Sequence, residues 1–196
     1  MIDRALTFLR DRVNEHVALG SGGAGTGDAI VFPDGDKLDP LALKVGATNL
    51  LLVNLEQEHV MRADDPFARA TAGGEIVAMQ PAIRLNLTLL FVARYRAYDA
   101  ALAALGTVLR YFQANRVFES RGFPDLDPAI GRLVVEPATL PLAQQNDLWG
   151  ALRLAYHPSV MFRVRLLTIE QGQGRAPLAT VATPVVEVRH GVSARG

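Results

Sequence analysis

The sequence predicts an α+β fold in which a mainly antiparallel or mixed sheet packs against about three helices, largely on one face. Two long segments alternate apolar and polar side chains, which is the period of two expected of strands with one buried face. Three other segments carry apolar residues at helical spacing. Because each long strand has one strongly apolar side, we expect the helices to cover mainly that side of the sheet.

The strongest signal is a strand followed by a helix across residues 82–113. Apolar side chains fill every second position of the strand, at Ile83, Leu85, Leu87, Leu89 and Phe91. Leu90 and Val92 are apolar on the opposite face, so we expect that face also to be covered at this end. The helix carries one apolar stripe, formed by Tyr98, Leu102, Leu105, Leu109 and Phe112.

Other segments complete the predicted architecture. Residues 1–19 form an amphipathic helix that ends at Gly20, because glycine readily adopts the left-handed cap conformation. A third helix begins near Pro141, contains Trp149 and ends at the histidine–proline pair 157–158. Further strands are predicted at residues 50–60, 117–119, 133–135 and 160–167.

The composition restricts the function classes. The 196 residues carry 20 Lys plus Arg and 20 Asp plus Glu, and this zero net charge lacks the basic footprint of a nucleic-acid binder. The absence of cysteine excludes disulfides, thiolate nucleophiles and cysteine zinc sites. The longest apolar runs are too short to cross a bilayer, and the N-terminal stretch lacks the apolar run of a signal peptide. We therefore expect a protein that folds in the cytoplasm, with no nucleic-acid or membrane partner.

No catalytic, cofactor or metal site is predicted. Residues 20–28, GSGGAGTGD, formally match a dinucleotide fingerprint, but they follow a helix and precede a short apolar run. The fingerprint needs a strand before it and a helix after it, so a flexible loop is the better interpretation. The histidines show no metal-binding spacing; they are His16, His59, His157 and His190.

Five residues are candidates for a contact with another protein. Arg94 and Arg96 form one arginine pair and Arg163 and Arg165 form another, and either pair would suit a charged contact. An ordinary solvated strand face explains these arginines equally well. Trp149, the single tryptophan, is interpreted as an anchor of the core or of an interface rather than as a ligand platform.

Three stretches in a fixed order carry a resemblance to a known family. They are residues 1–10 (MIDRALTFLR), residues 85–91 (LNLTLLF) running into 109–113 (LRYFQ), and residues 146–149 (NDLW) with 156–160 (YHPSV) and 163–169 (RVRLLTI). Together they resemble the N-terminal domain of the tail-terminator, or cap, proteins of extracellular contractile injection systems. These are phage-tail-like devices of the antifeeding-prophage type. The resemblance covers roughly residues 1–170 and contains no catalytic motif.

This resemblance implies a phage tail-terminator-like fold and a structural, non-enzymatic role without a cofactor. It implies a ring of six copies of the chain, which ends the inner tube and anchors the last layer of sheath. The expected partners are therefore the chain itself, the inner-tube protein and the sheath protein, in a particle assembled in the cytoplasm and released from the cell. The alternatives are an assembly chaperone of the particle, or a small-ligand-binding domain or enzyme of unknown type.

The C-terminal residues are expected to be separate from the main domain. We predict a tail-terminator-like domain at 1–170, followed at 171–196 by a linker and a β arm or hairpin. Residues 178–189 are rich in Val and Thr but contain Pro184, a composition that favours an edge strand. Such a strand pairs with another subunit or the terminal sheath layer, or it completes the sheet of its own subunit. The sequence leaves these two possibilities open.

Overall fold

The structure, a computed structural model, describes residues 1–20, 28–33, 41–58, 68–70, 76–78 and 84–168. The chain divides into two compact units, Met1–Arg62 with Ala82–Gln171 and Ala63–Pro81 with Gly172–Gly196. The predicted boundary at residue 170 and the predicted C-terminal arm lie outside the described residues. The glycine-rich loop also lies outside them, apart from its first and last residues.

Three helices and eight strands are described, and they are numbered here in chain order. The helices are α1 (Ile2–Gly20), α2 (Tyr98–Ala114) and α3 (Leu142–Leu152). The strands are β1 (Ile30–Val31), β2 (Ala47–Gln57), β3 (Ala68–Ala70), β4 (Ile76–Ala78), β5 (Arg84–Arg94), β6 (Val117–Glu119), β7 (Ile130–Ala138) and β8 (Ser159–Thr168). In the second unit β3 and β4 form an antiparallel pair.

The first unit is built on a six-stranded mixed sheet in the order β1-β2-β5-β8-β7-β6. The β1–β2 pair is parallel and every other neighbouring pair is antiparallel. The predicted central strand, β5, lies between β2 and β8 and pairs with both along nearly its whole length. The predicted α+β class, with a mixed sheet and three helices, is therefore confirmed.

One face of this sheet packs against α1 and α2 and forms the main core. The alternating apolar residues of β5 point to this face, and Leu87, Leu89 and Phe91 are fully buried there. Aromatic rings join the layers: Phe112 of α2 lies 4.9 Å from Phe162 of β8 between ring centroids. Each fully buried side chain of this size contributes roughly 1.5–3 kcal/mol. Burial of apolar side chains therefore fixes both helices on this face.

The opposite face has a second, smaller core, and α3 covers it. Trp149 of α3 packs there in a cluster with Leu51, Leu90, Val92 and Met161. The apolar side chains at Leu90 and Val92 thus have the cover that their sequence predicts. The expectation that the helices lie largely on one face describes α1 and α2 and not α3, because the apolar end of the second face also needs a partner.

Several elements differ in detail from their predictions. Helix α3 ends at Leu152 and not at residues 157–158, because Arg153 adopts the left-handed conformation that closes the helix. Strand β2 begins and ends three residues earlier than predicted. The buried stripe of α2 is Ala101, Leu105, Val108, Tyr111 and Phe112, so the helix is rotated relative to the predicted stripe.

Strand β7 is longer than predicted and contains Pro137. The N–H of Val135 donates to the carbonyl of Arg116, on the side of β7 that faces β6 and away from β8. Backbone direction repeats every two residues, so the N–H that Pro137 lacks would also point away from β8. Proline is therefore tolerated there. The β6–β7 pairing in the described chain extends only as far as Val134, so Pro137 lies beyond it.

Candidate functional site

The face of the sheet that carries α3 is polar where α3 does not cover it. Strand alternation places charged, amide and hydroxyl side chains of five strands on this surface, which we call the polar face. Its members are Asn54, Glu56, Arg84, Asn86, Thr88, Arg132, Glu136, Glu119, Arg163 and Arg165. The polar face carries both arginines and glutamates, with the arginines of β5 and β8 in its middle, so it suits a charged partner better than an apolar one.

Two of the predicted contact residues, Arg163 and Arg165, lie in the middle of the polar face. Both are exposed, and their strand β8 alternates them with the buried Phe162, Val164 and Leu166. Arg165 forms an ion pair of 2.7 Å with Glu136 of β7, and both side chains remain nearly half exposed. An exposed pair of this kind contributes about 0–1 kcal/mol, so it orients the guanidinium more than it stabilises the fold.

The other predicted arginine pair is divided between two roles. Arg94 ends β5, is half-buried, and donates a hydrogen bond of 2.6 Å from Nη1 to the backbone carbonyl of Leu43. Arg96 lies two residues further on, is exposed, and precedes α2. Arg94 therefore holds the segment before β2 in place, while Arg96 is accessible to a partner.

Trp149 is buried within the protein, with 5% of its surface exposed. Its ring lies 5.5 Å from that of Tyr156 and 6.4 Å from that of His157 between centroids. Burial, and to a lesser extent the positive charge of Arg94, lowers the pKa of His157. The structure thus brings Arg94 and Trp149 to one region through His157, away from the mid-face pair Arg163 and Arg165.

A surface that the sequence did not predict lies on α2. Tyr98, Leu102 and Leu109 are exposed by 69%, 49% and 41%, and helical spacing places them on one line, which we call the α2 outer stripe. The sequence did contain an indication of this surface, because α2 has more apolar residues than one buried stripe can hold. An apolar stripe on a charged, amphipathic protein is a common feature of protein–protein contacts.

Ion pairs connect α1 to the loop before β7. Arg4 binds Asp127 at 2.8 Å and Arg12 binds Asp125 at 3.1 Å. The N–H of Ala129 and then the Arg4 guanidinium lower the pKa of the Asp127 carboxyl. Asp3 and Asp11 lie in the same shallow cavity. Asp125 and Asp127 are held by arginines, and Asp127 also by a backbone N–H, an arrangement typical of a structural contact.

The described part of the chain has neither a metal-binding cluster nor a membrane-spanning helix. Across the described ranges, no group of three or more His, Asp or Glu side chains is placed to hold a metal ion. None of the three described helices has the length and apolar character needed to cross a membrane.

Comparisons with known proteins identify similar chains. The sequence profile of the Pvc16 N-terminal domain matches residues 5–181. Among solved structures, the fold is similar to the PVC sheath/tube terminator of an extracellular contractile injection system in its extended state, with a TM-score of 0.54 and 17% identity. That match covers 93% of this chain and 64% of the terminator chain, so this chain spans less than two thirds of its relative.

A second similar structure is the anti-feeding prophage cap, described as a tube-terminating cap. Its TM-score is 0.49 and its identity 15%, over 87% of this chain and 60% of that one. No curated protein sequence matches this chain. At these identities the structural matches concern the fold.

Proposed function

The chain belongs to the Pvc16 N-terminal domain family, and from this premise we propose that it is a structural cap that ends the inner tube of a contractile injection particle. The observation that carries the proposal is the family match, which spans residues 5–181. It agrees with the tail-terminator resemblance of the sequence. The similarity of fold to the PVC sheath/tube terminator supports the same role. In this role the protein is a scaffold and not an enzyme, and it needs no cofactor.

We propose that the cap is a ring of six copies that contacts the inner tube and anchors the last sheath layer. A ring requires a heterologous interface, in which two different surfaces of the same chain meet. The first unit offers two such surfaces on opposite sides of its sheet. One is the α2 outer stripe, and the other is the polar face around Arg163 and Arg165.

The five predicted contact residues have different parts in this proposal. Arg96, Arg163 and Arg165 are exposed and would touch a partner directly. Arg94 and Trp149 would act from beneath, because one holds the backbone of Leu43 and the other fixes α3 on the sheet. The ring would assemble in the cytoplasm with the tube and sheath and leave the cell with the particle. Neither nucleic acid nor membrane is a partner in this proposal.

Particle analysis tests the proposed function. Particles purified from cells that express the chain are analysed by quantitative mass spectrometry and by cryo-EM of their ends. The expected result is a small fixed number of copies per particle, located at one end as a ring. Removal of the gene should give tubes of uncontrolled length. A chain needed for assembly but missing from finished particles would be a chaperone, and this result would overturn the cap assignment.

A matched pair of variants tests the α2 outer stripe. Leu102→Ser with Leu109→Ser makes the stripe polar without touching the core, so we expect a folded protein that no longer forms rings. Leu142→Ser on α3 is the control, since Leu142 is 81% exposed and lies outside the stripe. Rings of normal size from the double variant would remove the stripe from the interface.

A further inference from the structure

Along most of its length, the outer edge of β2 has no pairing partner among the described residues. β2 has eleven residues, and all of it pairs with β5 apart from a bulge between Leu52 and Asn54. On its other side, the described residues pair with it only at Thr48 and Asn49, through β1. A strand edge of this length presents unpaired backbone N–H and C=O groups. This edge can therefore accept another strand.

The hydrogen bonds show which residues of β2 face outward. The N–H of Thr48 donates to the carbonyl of Ala29, so Thr48 faces outward; the N–H of Glu58 donates to Arg84, so Glu58 faces β5. Backbone groups alternate along an antiparallel strand, and the bulge shifts that alternation by one residue. Leu52 and Leu55 therefore direct their backbone groups outward, and their side chains are 40% and 47% exposed.

The other edges of the same sheet are protected. At β1, the side-chain amide of Asn14 bonds both the N–H and the carbonyl of Ile30. At the far side, β6 has three residues, and Glu119 at its end pairs with Arg132 at 3.3 Å. Short length and charge are the usual protections of an edge. β2 is long and exposes two leucines there, so its edge differs from both others.

We propose that residues 178–189 of a neighbouring copy add a strand to the outer edge of β2. This inference rests on the proposed ring. Donor and acceptor are different surfaces, so the contact is heterologous and can close a ring, whereas pairing of β2 with β2 would give a two-fold dimer. Strand addition gains backbone hydrogen bonds and asks little of side chains, which suits the Val- and Thr-rich sequence of the donor.

The end of β8 determines where the donor segment starts relative to β2. Gln57 pairs with Leu85 and Leu167 pairs with Arg84, so β2 and β8 end at the same end of the sheet. Residues 169–177 follow β8, and nine residues span at most roughly 30 Å when extended, which sets the greatest distance from β8 to the acceptor edge. Pro184 lacks an N–H, so we expect the added strand to place it opposite the β2 bulge, where the ladder is already interrupted.

The donor is assigned to another copy because the proposed ring needs a heterologous contact between copies, and exchange of this segment supplies one. If each copy gives residues 178–189 to β2 of the next copy, every copy in the ring is joined to its neighbour.

Cysteine cross-linking tests the proposal, because the chain has no cysteine of its own. Glu56→Cys is combined in turn with cysteine at positions 180, 181, 182 and 183 of the full chain. Glu56 is exposed and directs its backbone towards β5, so a residue opposite it on an added strand has its Cβ about 4.5–5.5 Å away. The same tail cysteines with Ala103→Cys, an exposed position on α2, form the control.

The expected result is a ladder of disulfide-linked species on a non-reducing gel, up to the full ring, for Glu56→Cys and not for Ala103→Cys. Cross-links within one chain would overturn the proposal, because the donor would then be the chain's own tail. Intact rings without a cross-link at any position would overturn it while leaving the cap function standing. Absence of rings from the unmodified protein would reject the proposed function, and the inference with it.

Discussion

The side chain of Asn14 pairs with the backbone of Ile30 as a neighbouring strand residue would. The N–H of Ile30 donates to Asn14 Oδ1 at 2.8 Å, and Asn14 Nδ2 donates to the Ile30 carbonyl at 2.9 Å. Asn14 lies on α1, so one side-chain amide both protects the edge strand β1 and fixes the helix to the sheet. This pair of hydrogen bonds therefore couples the position of α1 to the edge of the sheet.

Replacement of Asn14 by leucine should destabilise the protein by about 1–3 kcal/mol, because the backbone groups of Ile30 lose their partner in a half-buried place. Asn14→Asp keeps the acceptor and loses the donor, so its cost should be smaller than that of leucine. Urea unfolding followed by circular dichroism measures both. Asn146→Leu, at an exposed position of α3, is the control. Equal stability of Asn14→Leu and the control would show that water replaces the amide.

The sequence predicts the order of elements because their apolar periods are local. Alternation identified β5 and β8, and helical spacing identified all three helices. The rotation of α2 was not predictable, since the predicted stripe and the buried stripe share Leu105 and Phe112 and differ at the flanking positions. A choice between Leu102 and Val108 depends on the sheet beneath the helix, which is assembled from segments far apart in the chain.

Two leucines on α2 provide a direct test of this rotation. Leu105 is 7% exposed and Leu102 is 49% exposed, although the predicted stripe contains both. Leu105→Ala should cost about 2–5 kcal/mol because it leaves a cavity in the main core. Leu102→Ala should change stability by about 0.5 kcal/mol or less, as is usual for surface positions. Chemical denaturation of the isolated domain compares them, and similar losses for the two variants would contradict the observed orientation.

The structural positions of the candidate contact residues were predictable in part. Arginines at alternate positions of a strand with a buried face indicate an exposed pair, and Arg163 and Arg165 lie on the polar face. The role of Arg94 could not be read in the same way, because its acceptor, the carbonyl of Leu43, is 51 residues away. Asn49 is a similar case: this fully buried side chain bonds the backbone of Lys44, and nothing in its local pattern indicates it.

Trp149 should be important for the stability of the isolated domain. Trp149→Ala removes the largest side chain of the second core and should cost about 3–5 kcal/mol. Leu142→Ala, on the same helix but 81% exposed, should leave stability nearly unchanged. Unfolding is followed by circular dichroism, because the substitution removes the only tryptophan. A fully stable Trp149→Ala protein that fails to form rings would instead make this residue an interface anchor.

The contact between Arg4 and Asp127 should make stability depend on acid. In the folded state the pKa of Asp127 lies below its ordinary value of 3.8, so the folded state favours the carboxylate. Its contribution is therefore present at pH values above 3.8 and is lost as the pH falls through the folded pKa. Asp127→Asn should be less stable than the unaltered protein at pH 7, and the difference should shrink below about pH 4.

Melting temperatures between pH 3 and pH 7 measure this difference. Asp147→Asn removes an exposed carboxylate of α3 and is the control for a change in net charge. A gap between Asp127→Asn and the unaltered protein that stays constant across this range would show that the charge of Asp127 is not the cause of its effect.

The polar face should be needed for assembly and not for folding. Arg163 lies opposite Glu136 in the β7–β8 register, and Arg165 forms its exposed ion pair with the same glutamate. Reversal of both charges, Arg163→Glu with Arg165→Glu, should therefore cost on the order of 1 kcal/mol. Across an interface, like charges brought together cost far more, so the variant should fail to join particles.

The matched control changes the net charge by the same amount elsewhere. Arg116→Glu with Arg121→Glu alters two exposed arginines near β6, outside the polar face. Each variant is expressed in cells that lack the unaltered protein, and its amount in purified particles is measured by mass spectrometry. We expect the control at normal amounts and the polar-face variant near zero, with both proteins folded. If the polar-face variant enters particles normally, its arginines are solvated surface, and the partner contacts must lie on the α2 outer stripe or the edge of β2.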